Sequence, residues 1–455
     1  MVFILTVVVL QSISFSNYAL TTKTTNIIQG SAPYFTFDGG RTQTTNTDGL
    51  LRISLSNGDI YTPTTTNSRD NPIILPVAGQ SFADIGMFIP TDTDSIDLSS
   101  LIGPPNNYWG DDDGDGQGID GITATGSVSL TISDKNNQVV ARSDILDICN
   151  APYKLTLSNT EGILKTRYGV PNESRFNGNN VTYYVNPKSK PKICFVKPYL
   201  LIGNGSFAGP ATIWNPNKGF IPQSVTPSSY GSNFPTTGAH NLYFDLDIAG
   251  IDQPLLWKEV SPNGDIKATM SNSTKTSVRV TLTGPVTTES QWKLINPGNI
   301  DKPSLPQIFE LVGRDSLGNT VVKYGFELKH WFVNRGTDSY NYDSASFWCT
   351  DIGYRLPDIK DLTNASCQGD NSGYLCQGAV GATPSSPNNY YQRHIGAGFF
   401  TEWGSVSNYS DANFIVGGYF TSGAKQGEAS QPVVGSQSGN VTRHYNLGKV
   451  LCAYP

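Results

Sequence analysis

Apolar and polar residues alternate over several short segments of this chain, and this alternation constrains the fold more than any other feature. It is present in three segments: Val128, Leu130 and Ile132; Leu242, Phe244, Leu246 and Ile248; and Val278, Val280 and Leu282. Successive side chains of a β-strand point to opposite faces of a sheet, so a period of two predicts strands with one buried face. Such faces are buried when one sheet packs on another. We therefore expect a mainly β fold built from β-sandwich, immunoglobulin-like modules.

The composition supports this expectation and excludes one class of partner. Charged residues make up 15% of the chain and aromatic residues 11%, a balance typical of short strands joined by many tight turns. The formal net charge is −6. Because no basic stripe is available to neutralise phosphates, a nucleic-acid partner would lack its main source of affinity.

The chain is long enough for several hydrophobic cores. A length of 455 residues predicts about three domains. The sequence predicts a hydrophobic segment over residues 1–24, a first β-sandwich module over 29–146, a second over 147–305 and an α+β module over 306–455. In the last module, apolar spacing predicts helices over 343–352 and 358–365, then strands over 398–403, 412–420 and 447–453.

The first segment has two interpretations. Residues 2–10 are apolar except for Thr6, as in the hydrophobic region of a secretory signal, and the run is too short to span a bilayer. A secretory signal usually begins with a positively charged residue, and no Lys or Arg precedes this segment. The segment is therefore interpreted equally well as a strand from an upstream domain. In the second case the chain is a distal fragment of a longer gene product or a truncated gene.

The cysteines indicate disulfides and an oxidising compartment. The chain contains six, no Cys-x-x-Cys pair, and no histidines at zinc spacing. Many pairings are possible and the sequence does not choose among them. Proximity favours three pairs: Cys149 with Cys194, Cys367 with Cys376, and Cys349 with Cys452. The last would close a long loop, which the chain-entropy treatment values at roughly 4 to 5 kcal/mol.

A run of aspartates predicts a cation site. Asp111, Asp113 and Asp115 alternate on one tight turn, and Asp120 is a further possible ligand. A hard cation such as Ca²⁺ would relieve the repulsion between these carboxylates and take oxygen ligands. Ile122 stands where an EF-hand loop has its bidentate glutamate, so a solvated acidic turn is the alternative.

Two groups of motifs carry a resemblance to known families. Trp348-Cys349, the segment Gly353-Tyr354-Arg355-Leu356-Pro357 and Val450-Leu451-Cys452 resemble the C-type-lectin-like fold over roughly residues 308–455. In that family the cysteine of the first helix pairs with that of the last strand, which here are Cys349 and Cys452. Upstream, Ala32-Pro33-Tyr34-Phe35, Pro76-Val77-Ala78-Gly79-Gln80 and Tyr108-Trp109-Gly110 resemble the adhesion region of the intimin and invasin family, most closely the invasin E type.

The resemblance implies a non-enzymatic bacterial surface adhesin with a lectin-like tip, displayed outside the cell from the outer membrane through an upstream anchor. The implied partner is a host cell-surface protein or glycan, and Tyr390, Tyr391 and Arg393 are the candidate contact residues because Tyr and Arg dominate binding hot spots. The calcium-binding motifs of sugar-binding C-type lectins are absent from this sequence. Two alternatives remain open: a calcium-assisted carbohydrate-binding lectin and a secreted carbohydrate-active enzyme, for which any two carboxylates suffice.

Overall fold

The computed structural model describes residues 29–114, 121–423, 430–444 and 446–455. These residues form two compact units, each described by itself: unit 1 comprises the described residues up to Leu146 together with Pro152–Pro187, and unit 2 comprises Asp147–Ala151 and Lys188–Pro455. The predicted hydrophobic segment over residues 1–24 lies outside the described residues. The prediction of a mainly β fold is confirmed.

The described residues of unit 1 form twelve short strands and one turn of α-helix, α1 (Thr47–Leu50). The strands are β1 (Tyr34–Phe35), β2 (Ile53–Ser54), β3 (Ile60–Tyr61), β4 (Ile73–Ile74), β5 (Ser95–Asp97), β6 (Trp109–Gly110), β7 (Thr123–Thr125), β8 (Ser127–Ser133), β9 (Tyr153–Asn159), β10 (Gly162–Lys165), β11 (Glu173–Phe176) and β12 (Asn179–Asn186). The main sheet has the order β4-β12-β9-β8-β5, and a second has the order β11-β10-β7.

The alternating segment at Val128 forms β8 as predicted. Val128, Leu130 and Ile132 point into the core, and the neighbouring β9 alternates in the same way. Because β9 pairs with β8 along most of its length, the chain from Pro152 to Pro187 completes the sheet of unit 1. This differs from the predicted boundary, which placed everything after residue 146 in a second module.

The described residues of unit 2 contain fourteen strands and four α-helices. The strands are β13 (Lys192–Lys197), β14 (Trp214–Asn215), β15 (Gly219–Phe220), β16 (Thr237–Ala239), β17 (Tyr243–Ala249), β18 (Lys267–Ser271), β19 (Ser277–Thr283), β20 (Gln307–Arg314), β21 (Thr320–Leu328), β22 (His330–Asn334), β23 (Gly418–Phe420), β24 (Gln431–Gly435), β25 (Val441–His444) and β26 (Leu451–Tyr454). The helices are α2 (Glu289–Lys293), α3 (Tyr342–Asp351), α4 (Ile359–Leu362) and α5 (Phe399–Trp403).

Four sheets make up this unit. A six-stranded sheet has the order β14-β15-β13-β17-β19-β18, and β20 pairs with β21 in a hairpin. The C-terminal part contains two three-stranded sheets, β16-β22-β26 and β23-β24-β25. A single hydrophobic core runs through the unit from Ile193 to Ala453. The predicted boundary at residue 305 therefore does not separate two cores, because both sides bury their apolar faces together.

The helices agree with the sequence in part. Helices α3 and α4 form where helical spacing predicted them, although α4 is shorter than expected. The segment predicted as a strand at 398–403 is instead α5, and all five of its residues are buried. The strands predicted over 412–420 and 447–453 are shorter in the structure, where they are β23 and β26. No helix in the described ranges is both long and apolar enough to cross a bilayer.

All three favoured disulfides are present. Cys149 bonds to Cys194, Cys349 to Cys452 and Cys367 to Cys376, with sequence separations of 45, 103 and 9 residues. All three lie within unit 2. The long Cys349–Cys452 bond joins α3 to the terminal strand β26 and so ties the C-terminal part of the unit to its end.

Candidate functional site

The three predicted contact residues lie inside unit 2. Tyr390 is 4% exposed, and Tyr391 and Arg393 are fully buried. The Tyr391 hydroxyl donates to the carbonyl of Ile202 over 3.0 Å. The prediction that these side chains contact a receptor is therefore corrected: aromatic and arginine residues serve binding only where a partner can reach them, and here they pack the core.

Arg393 organises the interior around it. Its guanidinium donates to the carbonyls of Glu402 at 2.9 Å and Tyr199 at 2.8 Å. The same group lies 4.7 Å from the ring centroid of Trp214. Burial lowers the pKa of Arg393, because desolvation disfavours the charged guanidinium. This arginine thus fixes the loop at residue 199 to α5, because one buried cation satisfies carbonyls from both.

Glu402 is the second buried ionisable group of this interior. Its carboxylate accepts hydrogen bonds from the backbone N–H groups and hydroxyls of Thr236 and Thr237, and from the N–H of Gly396 at 2.8 Å. Burial raises the pKa of Glu402, while these donors oppose the rise. The side chain is fully buried and surrounded by donors of its own unit, so it positions β16 against α5.

The acidic turn lies in unit 1 and is described only in part. Asp115 and Asp120 fall outside the described residues, whereas Asp111 and Asp113 lie within them. The Asp113 carboxylate accepts the backbone N–H of Ser31 at 3.0 Å. Within the described ranges, no group of three or more His, Cys, Asp or Glu side chains is arranged to hold a metal ion. The calcium site stays a prediction.

The motifs that resemble the C-type-lectin-like fold lie together in the C-terminal part of unit 2. Arg355 follows α3 and pairs through its backbone with Ala453 of β26. Its guanidinium donates to the carboxylate of Asp361 at 2.6 Å and to the carbonyl of Pro455 at 2.8 Å. Together with the Cys349–Cys452 bond, these contacts fix the first helix of the region and its following loop to the last strand. The cysteine pairing is the one that the lectin-like resemblance implies.

Three large apolar side chains are exposed on α3 and on the segment that follows α2. Phe347 on this helix is 51% exposed, while its neighbour Trp348 is fully buried. In the segment that follows α2, Leu294 is 49% exposed and Ile295 is 73% exposed. We call Leu294, Ile295 and Phe347 the Phe347 patch. Exposed apolar side chains gathered on one surface are typical of protein interaction sites, whereas single ones are ordinary.

Arg335 connects the two backbone segments that carry the Phe347 patch. Its side chain is 2% exposed and donates to the carbonyl of Leu294 at 3.0 Å and to that of Ser344 at 3.2 Å. Ser344 and Phe347 are three residues apart on α3 and so lie on one face of the helix. The indole N–H of Trp348 also donates to the carbonyl of Gln291, at 3.2 Å. The patch is therefore presented on a fixed backbone.

The sequence contained a signal for this patch. The buried residues of α3 are Ala345, Trp348 and Cys349, which fall at the spacing of one helical face. Phe347 falls off that face, so the helical pattern alone places a large aromatic side chain toward solvent. For Leu294 and Ile295 no periodic pattern exists, because they follow a short helix and precede a loop.

Comparison with known proteins gives a likeness of fold. No protein-family model matches the chain, and a search of curated proteins finds no match. The structure is similar to those of invasin and intimin. At the identities found, all below 15%, the likeness concerns the fold.

The invasin structure, described as that of a bacterial integrin-binding protein, is 14% identical over 77% of this chain, with a TM-score of 0.34. This chain covers 53% of it, so it spans about half of that structure. A second similar structure is a C-terminal fragment of intimin in complex with the intimin-binding domain of the translocated intimin receptor. It is 12% identical to this chain, and its TM-score is 0.31. The match covers 73% of this chain and 86% of the fragment. An intimin mutant from EHEC O157:H7 is 13% identical, with coverage of 50% and 93% and a TM-score of 0.29.

Proposed function

We propose that this chain is the receptor-binding part of a bacterial cell-surface adhesin and that it attaches the bacterium to a host cell-surface protein. The observation that carries the proposal is the Phe347 patch. Phe347 is exposed on α3, which a disulfide fixes to the last strand, and Leu294 and Ile295 are exposed in the segment after α2. Apolar and aromatic side chains held on a rigid backbone bind protein partners at low entropic cost.

Two further observations support this assignment. The three disulfides fit an oxidising compartment, as expected of a protein displayed outside the cell. The motifs around Cys349 and Cys452 that resemble the C-type-lectin-like fold lie in the same region as the patch. We assign binding to this region. No feature of the described site favours the alternative, a carbohydrate-active enzyme.

The proposal is tested by measuring how the fluorescently labelled chain binds to intact host epithelial cells by flow cytometry. A variant carrying Leu294→Ser, Ile295→Ser and Phe347→Ser removes the apolar surface while leaving the buried face of α3 intact. We expect saturable binding by the wild-type chain and at least a tenfold weaker affinity for the variant, because central apolar anchors dominate such interfaces.

A matched control separates a specific surface from general stickiness. Val225, Leu256 and Leu317 lie in the same unit and are 85%, 61% and 86% exposed. Their triple substitution by serine removes a similar amount of exposed apolar area and should leave cell binding unchanged. Equal loss of binding in both variants, or no loss in either, would contradict the assignment of the patch.

A further inference from the structure

A neutral groove opens in the C-terminal part of unit 2, away from the residues of the Phe347 patch in the sequence. Its volume is about 610 Å³, within the range of roughly 300 to 1,000 Å³ that small-ligand pockets occupy. One wall is the disulfide loop that ends at Cys376, and the other is β25 with the turn before it. Every residue that lines the groove is uncharged.

The two walls are fixed to each other. Asn389 is 3% exposed and lies at the base of the groove. Its amide nitrogen donates to the carbonyls of Asn371 and Val441, each at 2.9 Å, and its amide oxygen accepts the N–H of Val441. The Cys367–Cys376 bond closes the loop on its other side. The groove is thus shaped before any ligand arrives, which lowers the entropic cost of binding.

Several polar groups of the groove have no hydrogen bond within the described residues. These are the side-chain amide of Asn371, the hydroxyl of Thr442 and the hydroxyl of Tyr374. Tyr374 is 74% exposed, so a ligand can reach its side chain. Amides and hydroxyls both donate and accept, whereas charged side chains do only one.

These features fit one class of ligand. A neutral saccharide has hydroxyl edges, which match groups that both donate and accept, and apolar C–H faces, which match an exposed tyrosine ring. An acidic glycan or a charged peptide would find no opposite charge in the lining. We propose that this groove binds a neutral oligosaccharide without a metal ion, with Tyr374 as the stacking residue. This site is separate from the protein-binding patch and does not depend on it.

The test uses the whole chain on an array of neutral oligosaccharides, built from hexoses and N-acetylhexosamines, beside sialylated and sulfated glycans, all in the presence of EDTA. We expect binding to neutral glycans, and at least a tenfold weaker affinity of Tyr374→Ala for the strongest of them. Thr442→Val, which removes only the hydroxyl, should weaken the same binding several-fold. Tyr168→Ala, at a 55% exposed tyrosine in unit 1, is the matched control and should bind like the wild type.

Three outcomes would overturn the inference: no neutral glycan bound at millimolar concentration, a preference for acidic glycans, or equal binding by wild type and Tyr374→Ala. Circular dichroism and thermal melting establish that each variant is folded. Cell binding of the Tyr374→Ala variant separates this site from the proposed function, since loss of glycan binding with cell attachment retained leaves the adhesin proposal intact.

Discussion

The Cys349–Cys452 bond offers a quantitative test of how the C-terminal region is held together. It joins residues 103 positions apart, and a closed loop of that length contributes about 4.7 kcal/mol to stability in the chain-entropy treatment. The Cys367–Cys376 bond spans only 9 positions, for which the same treatment gives about 2.6 kcal/mol. We therefore expect the double alanine variant at 349 and 452 to lose about 2 kcal/mol more than the one at 367 and 376.

Equilibrium urea unfolding followed by tryptophan fluorescence measures the difference. Six of the seven tryptophans lie in unit 2, so the signal reports mainly on the unit that contains both disulfides. Cys349 and Cys452 are fully buried, and truncating them leaves a cavity that adds to the loss. An equal or smaller loss than that of the Cys367→Ala, Cys376→Ala variant would refute the reasoning from loop length.

Three further predictions concern buried and acidic groups. Burial raises the pKa of Glu402 above 4.5, so the unfolded chain ionises first and stability falls as pH rises through the raised pKa. Glu402→Gln should remove this part of the pH profile. It should also lower the free energy of unfolding by about 1 to 3 kcal/mol, because the amide nitrogen of glutamine cannot accept an N–H such as that of Gly396. An unchanged dependence of urea unfolding on pH would count against this prediction. Arg393→Met should cost about 2 to 4 kcal/mol in the same assay, since buried carbonyls lose their donor, and a loss below about 1 kcal/mol would contradict this. Millimolar calcium should raise the calorimetric melting temperature of the wild type but not that of Asp111→Asn, Asp113→Asn, and equal shifts would disprove the cation site.

Features set by local pattern could be predicted from the sequence. The alternation at Phe244, Leu246 and Ile248 produced β17 with its apolar face buried, because the period of a strand is a property of consecutive residues. Features set by distant pairing were missed. Residues 147–151 belong to unit 2, but strand β9, which follows them, pairs with β8 of unit 1. The sequence composition at this point does not mark that the chain goes back to unit 1.

The errors at the site have a similar origin. All five residues of α5 are buried, including Thr401 and Glu402, and in so short a segment the periodicity does not distinguish a strand from a buried helix. Tyr390 and Arg393 stand in a loop-rich polar segment, which favours exposure, but distant carbonyls and rings enclose them. Their burial depends on segments nearly 200 residues away along the chain, such as the loop at Tyr199, separated by 194 positions.

The central claim is that the chain binds a host cell-surface protein, and its most direct test is saturable binding to intact host cells before and after treatment of those cells with protease. Binding is measured in calcium and in EDTA. The account predicts binding that protease treatment abolishes and that persists in EDTA. Binding that survives protease but is lost after enzymatic removal of cell-surface glycans would contradict the protein receptor, and absence of saturable binding to untreated cells would contradict the adhesin proposal itself.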